Sequence, residues 1–195
     1  MANTQAQFGF QQFGYLPGGS PDYQQSKGLI QSSFSTKIYF GDPVIKSAAS
    51  QYMTLMTSTT TAVWGIFVGC QYNATGSAPQ WSPYWPGGAT ADATGYVIDA
   101  PNALFKVAAL LTPVPATAIG QNIAFSTGAG GTTIGGGFST YVVDQSTLTT
   151  SNAYPFTVEA MYPGVGNGAD TTTNYNWVIV SFNNQRWRAG QTGVA

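Results

Sequence analysis

From Thr36 onward the chain is a succession of short apolar runs, each cut off within a few residues by glycine, proline or asparagine. The runs are rich in Val, Ile, Thr, Phe, Tyr and Trp, the side chains that pack well on a pleated surface. The polar remainder is mostly Ser, Thr, Asn, Gln and Gly rather than Lys and Glu, so strand formers outweigh helix formers. Strand-like segments fall at 37–40, 44–46, 52–56, 62–69, 95–99, 103–107, 122–125, 138–143, 154–161 and 175–182. Gly41-Asp42-Pro43 reads as a turn, and Pro101-Asn102 as a hairpin-like corner. Residues 112–121 read as a loop with one helical turn that Gly120 ends. About ten short strands with turn signals between them predict an all-β fold, an antiparallel sandwich or barrel.

Three regions follow from this pattern: an arm over 1–35, a β-domain over 36–187 and a flexible tail over 188–195. In the arm, Phe8, Phe10, Phe13 and Tyr15 recur without a helical period among Gly and Pro. Such a stretch predicts an extended N-terminal arm that docks its aromatic side chains on another surface. That surface is this subunit, a neighbour or a larger scaffold. The seven residues Met1 to Gln7 lack a basic region followed by an apolar stretch, so no secretory signal is expected. No run approaches ~18 apolar residues, and no membrane span is expected.

The chain contains no histidine, six Lys/Arg and seven Asp/Glu. Ser-His-Asp, Cys-His and histidine-metal chemistry are therefore excluded. Carboxylate pairs are the remaining catalytic option. Asp22, Asp42, Asp92 and Asp170 sit in turn-rich sequence, Asp99 and Asp144 follow strand-like segments, and Glu159 stands alone in one. No pair stands out, and no alternating acidic loop offers calcium ligands. The chain is not expected to be an enzyme, and neither a cofactor nor a metal is expected. A net charge of −1 gives no general attraction to nucleic acid. Without histidine, the chain lacks the side chain that ordinarily switches charge between about pH 5 and 8.

Cys70 is the single cysteine, so no intrachain disulfide forms; its place in Gly65–Cys70 marks it as a small core residue. The glycine-rich stretch 128–137 lacks the Gly-Lys-Ser/Thr ending of a phosphate loop and reads as a surface loop. Asn73-Ala74-Thr75 fits a glycosylation pattern by chance, since no secretory route is expected. A loop over 71–93 carries Trp81, Tyr84 and Trp85 among prolines. These rings suit three roles: stacking on sugars, anchoring a protein interface, or packing over the end of the domain.

The order of segments from Thr36 resembles a family of tailed-bacteriophage capsid decoration, or cement, proteins. The resemblance rests on Tyr39-Phe40-Gly41-Asp42-Pro43-Val44, on the stretch Trp64 to Tyr72 and on Ser82-Pro83-Tyr84-Trp85-Pro86. It continues through the stretch Val97 to Val107, Ala118-Ile119-Gly120-Gln121-Asn122 and the stretch Trp177 to Arg186, covering about residues 36–187. The resemblance implies a non-enzymatic virion protein on the head exterior, made in the host bacterial cytoplasm. It would bridge major capsid protein subunits, with neither a nucleic-acid nor a membrane partner. It also implies a homo-oligomer, for which a cyclic trimer is expected. Few charges suit a permanent interface, where unpaired charges are costly to desolvate. The expected contact residues are Phe8, Phe10, Phe13, Tyr15, Trp81, Tyr84 and Trp85. On that reading, removing residues 2–35 abolishes capsid binding and leaves the domain folded. A phage fibre, tail or minor head protein, with a carbohydrate-binding aromatic loop, is the alternative.

Overall fold

A computed structural model describes residues 7–22, 24–74, 76–127, 138–164 and 168–194. The glycine-rich stretch 128–137 and Thr75 of the Asn73-Ala74-Thr75 pattern lie outside the described residues.

Among the described residues there are fourteen strands: β1 (Gln11–Tyr15), β2 (Ser26–Ile30), β3 (Pro43–Lys46), β4 (Met53–Leu55), β5 (Gly65–Asn73), β6 (Pro79–Ser82), β7 (Ala93–Ile98), β8 (Ala103–Ala108), β9 (Asn122–Thr127), β10 (Tyr141–Thr149), β11 (Phe156–Met161), β12 (Pro163–Gly164), β13 (Gly168–Ala169) and β14 (Trp177–Phe182). A 3-10 turn at Ala116–Ala118 occupies the loop where one helical turn is expected. The first sheet runs β1-β8-β14-β11-β9-β10, and the second runs β2-β7-β5-β3-β4 with β6 also on β5. Every strand pairing is antiparallel. The sheets stay separate and do not close into a barrel, so the sandwich form of the expected fold is the one present.

The main core lies between the two sheets. Phe105, Val107, Val158, Val178 and Val180 of the first sheet meet Ile66, Val68 and Ile98 of the second. A second core covers the outer face of the second sheet, where Trp64, Phe67, Cys70 and Val97 pack with Ile30, Ile38, Met53 and Trp85. β5 is thus buried on both faces, which explains its nearly unbroken apolar run. A register shift between Phe67 and Gly69 lets Phe67 and Cys70 face the same core although three positions separate them. Cys70 is fully buried as expected, and burial pushes its thiol up to about 12.

Two of the three expected regions change. Over its described residues the 1–35 stretch docks on this chain's own sheets. β1 is an edge strand of the first sheet and β2 an edge strand of the second. The stretch is therefore part of the sandwich, since each of its strands completes a buried face. The expected flexible tail is also tied down. Asn122 Nδ2 donates to the Gln191 carbonyl at 2.7 Å, and the Val194 amide donates to the Gly120 carbonyl at 2.9 Å. The expected strand at 37–40 makes only isolated bridges, Ile38 with Trp85 and Phe40 with Phe138.

Candidate functional site

Side chains alternate across β8, so Phe105 and Val107 enter the core while Lys106 points outward. Lys106 lies between Gln11 of β1 and Ile179 of β14 in the register of the first sheet. Three rings enclose its ammonium: Nζ is 4.7 Å from the Trp177 ring centroid, 5.0 Å from Phe8 and 5.2 Å from Tyr162. The rings meet edge to face, with Phe8–Trp177 centroids 5.2 Å apart, Tyr162–Trp177 5.5 Å and Phe13–Tyr162 5.7 Å. Burial pushes the Lys106 ammonium below the ordinary lysine range, and among the described residues no carboxylate opposes that shift. The Trp177 indole N–H is buried without a hydrogen-bond partner. Phe13 forms the exposed lip of this aromatic face at 40% exposure.

The structure therefore brings together Phe8 and Phe13, which the sequence singled out, with Tyr162, Trp177 and Lys106, which it did not. For two of the missing three the signal lies in strand alternation, while Tyr162, between β11 and β12, has none. Lys106 is the charged outward residue of an otherwise apolar strand, and Trp177 opens a strand whose inward positions are Val178, Val180 and Phe182. Phe10 is a correction. It is buried and stacks on Phe156 at 4.4 Å, so it belongs to the core and not to a contact surface. Tyr15 is half-buried, packs against the main core and donates its hydroxyl to Asp22.

The Trp81, Tyr84 and Trp85 loop divides. Trp85 is a second correction: it is fully buried in the outer core, and its indole donates to the Phe34 carbonyl at 2.8 Å. Tyr84 is half-buried and stacks on Tyr39 at 6.0 Å. Only Trp81 stays open, at 62% exposure on β6, where it lies across Gly69. A Cβ at Gly69 would stand 2.8 Å from Trp81 Cζ2, so a glycine there is what lets the indole lie down on β5. Trp187, which the sequence reading passed over, is also exposed, at 57%.

The carboxylates accept from backbone amides and hydroxyls, some close in sequence and some distant. Asp92 accepts from the Ser32 amide at 2.9 Å and the Tyr52 hydroxyl at 2.7 Å, and Asp170 accepts from the Thr172 and Thr173 amides. Among the described residues no three His, Cys, Asp or Glu side chains come close enough to hold a metal ion, and no helix is long and apolar enough to cross a membrane. Asp42 differs from the others. It takes the Tyr39 amide on Oδ2 at 2.7 Å, its Oδ1 is buried without a hydrogen-bond partner among the described residues, and burial, opposed by the Ser139 hydroxyl and the Tyr39 amide, pushes its carboxyl up to about 7.

Fold and surface together define a two-sheet antiparallel β-sandwich that exposes aromatic side chains on a nearly charge-free surface. No protein-family model, curated protein or solved structure matches the chain.

Proposed function

We propose that this chain is a structural protein of a tailed-bacteriophage head, which binds the outer surface of the capsid and bridges neighbouring major capsid protein subunits. The carrying observation is the aromatic face of Phe8, Phe13, Tyr162 and Trp177 around the Lys106 ammonium. Large aromatic side chains are enriched at the centres of protein interfaces, and a cation among them supplies one directional contact. Exposed Trp81 offers a second anchor. The resemblance of residues 36–187 to decoration proteins supports the same reading. Many identical sites on a capsid multiply a modest interface of about 1,200–2,000 Å² per contact into a large total stabilisation. Three copies closing a ring at a local threefold position would match the lattice symmetry.

The test is copy number and occupancy on purified heads. Hundreds of copies per particle, lost in Phe13→Glu and Trp81→Ala variants that still fold, support the reading. A few copies per particle favour a fibre, tail or minor head role. Absence from heads refutes it. Light scattering of the free protein checks the trimer against three times the 20.5 kDa chain mass.

A further inference from the structure

At one end of the second sheet, side chains from five parts of the chain meet around Asp99. Ser26 opens β2, Lys46 ends β3, Trp64 precedes β5, Asp99 follows β7, and Arg186 and Trp187 follow β14. One carboxylate oxygen of Asp99 accepts both indole N–H groups, from Trp64 at 3.2 Å and from Trp187 at 3.3 Å. The other oxygen accepts the Ser26 hydroxyl at 2.8 Å. Gln185 fixes the backbone beneath them by donating to the carbonyls of Asp99 at 2.8 Å and Trp64 at 3.2 Å.

The two tryptophans differ in one respect: Trp64 is buried and Trp187 is 57% exposed. An exposed tryptophan ordinarily turns among rotamers. Here the shared carboxylate holds the Trp187 ring, so an open aromatic face is presented in a fixed orientation. A face held before binding loses less entropy on binding.

Charge is the second element. Lys46 Nζ stands 4.3 Å from the Trp64 ring centroid, and the Arg186 guanidinium 5.1 Å from that of Trp187. Two of the chain's six cations are thus gathered around one carboxylate. That carboxylate's oxygens are already taken by neutral donors. Burial first and Arg186 second lower the pKa of the Lys46 ammonium, Asp99 partly opposing them, so one negative charge faces two positive ones. The cluster therefore carries excess positive charge beside a rigid aromatic plane.

We propose that this cluster binds an acidic sugar residue, with the pyranose ring on the open face of Trp187 and the sugar carboxylate on Arg186, Lys46 adding a second positive charge. A flat ring with C–H groups on one side suits an indole face. A carboxylate suits a guanidinium, which can meet both its oxygens. A simple anion satisfies only the charge, and a neutral sugar only the plane. The site is separate from the Lys106 face and does not depend on the capsid reading.

The experiment titrates the full chain with sodium glucuronate, glucose or sodium acetate at low ionic strength. Binding is followed by calorimetry and by saturation transfer from protein to sugar protons. The expected result is saturable binding of glucuronate with a dissociation constant near about 1 mM, with glucose and acetate each weaker by about tenfold or more. Trp187→Ala and Arg186→Gln should each weaken glucuronate binding about tenfold while thermal melting shows a folded protein. Equal binding of acetate and glucuronate would overturn the proposal in favour of a plain anion site. Equal binding of glucose would remove the charge from it. Unchanged glucuronate binding in folded Trp187→Ala, or no saturation at about 10 mM, would also overturn it.

Discussion

The ammonium of Lys106 stands 4.7 Å from the centroid of the Trp177 ring, with the rings of Phe8 and Tyr162 on its other sides. Two opposing effects act on that charge. The ring faces attract it, by about 0.5–2 kcal/mol. Burial costs it solvation, as the lowered pKa records. Replacing Lys106 by Met keeps a flexible chain among the rings and removes both effects. Lys106→Met should change unfolding free energy by less than about 1 kcal/mol in urea. Trp177→Ala, which removes the surface that Phe8 and Tyr162 pack on, should cost at least about 2 kcal/mol. A Lys106→Met cost as large as that of Trp177→Ala would mean that the charge, and not the packed rings, holds this face together.

Asp42 places a titration in the range where histidine ordinarily acts and this chain has none. Its carboxyl is pushed up to about 7 by burial, against 3.8 as the ordinary value. The sign follows from which state holds the proton. Below about pH 4 both folded and unfolded chains are protonated at this position. Between about 4 and 7 the unfolded chain releases the proton while the folded chain keeps it, so stability falls as pH rises. Above about 7 the loss is complete, at most about 4 kcal/mol. Asp22, Asp92 and Asp170 have lowered pKa values, each through side-chain hydrogen bonds first, so their stabilisation is lost only below about pH 4. Urea unfolding at pH 5 and pH 8 should show a drop for the natural chain and a much smaller one for Asp42→Asn. Equal drops in both would place the titrating group elsewhere.

Asp42 also shows what the sequence could and could not carry. The turn at Gly41-Asp42-Pro43 was legible, because Gly, Asp and Pro have local conformational preferences, and Asp42 does accept the Tyr39 amide. Its burial was not, since that depends on distant chain packing over the turn, as when the Phe10 amide donates to the Gly41 carbonyl at 3.0 Å. The same limit hid β1. A register shift between Gln12 and Gly14 breaks the period of two, so Phe13 faces outward while Tyr15, only two positions later, packs against the main core. An irregular aromatic stretch then reads as an arm. The Asp99 cluster was hidden for a different reason: its members lie up to 161 positions apart, from Ser26 to Trp187, and no local pattern joins them.

Gly28 and Gly95 face each other across β2 and β7, and together they leave a trench in the second sheet. Trp64 and Met53 fill it: a Cβ at Gly28 would stand 2.3 Å from Trp64 Cη2, and one at Gly95 would stand 2.8 Å from Met53 Cε. Gly28→Ala should therefore cost about 1–3 kcal/mol through overpacking. Trp64 shares Asp99 with Trp187, so displacement of Trp64 should also loosen the exposed indole. Gly19→Ala, whose added methyl would meet only Tyr15 Cβ at 3.7 Å, should stay within about 0.5 kcal/mol. Urea unfolding compares the two, and a neutral Gly28→Ala would refute the trench.

Phe10 and Phe13 separate folding from surface contact within one strand region. Phe10 stacks on Phe156, which stacks in turn on Phe182 at 6.0 Å, so its loss opens the main core. Phe10→Ala should cost about 3–5 kcal/mol. Phe13, 40% exposed with an edge contact to Tyr162, should cost less than about 1 kcal/mol as Phe13→Ala. Removal of residues 2–35 takes away Phe10 and the edge strands β1 and β2, and would expose the flanks of β8 and β7 to solvent. The truncated chain should therefore unfold or aggregate instead of remaining a folded domain that merely fails to bind. Circular dichroism and gel filtration of the truncation decide between the two outcomes. A monodisperse truncation with an undiminished melting temperature would show that β1 and β2 add nothing to the sandwich they complete.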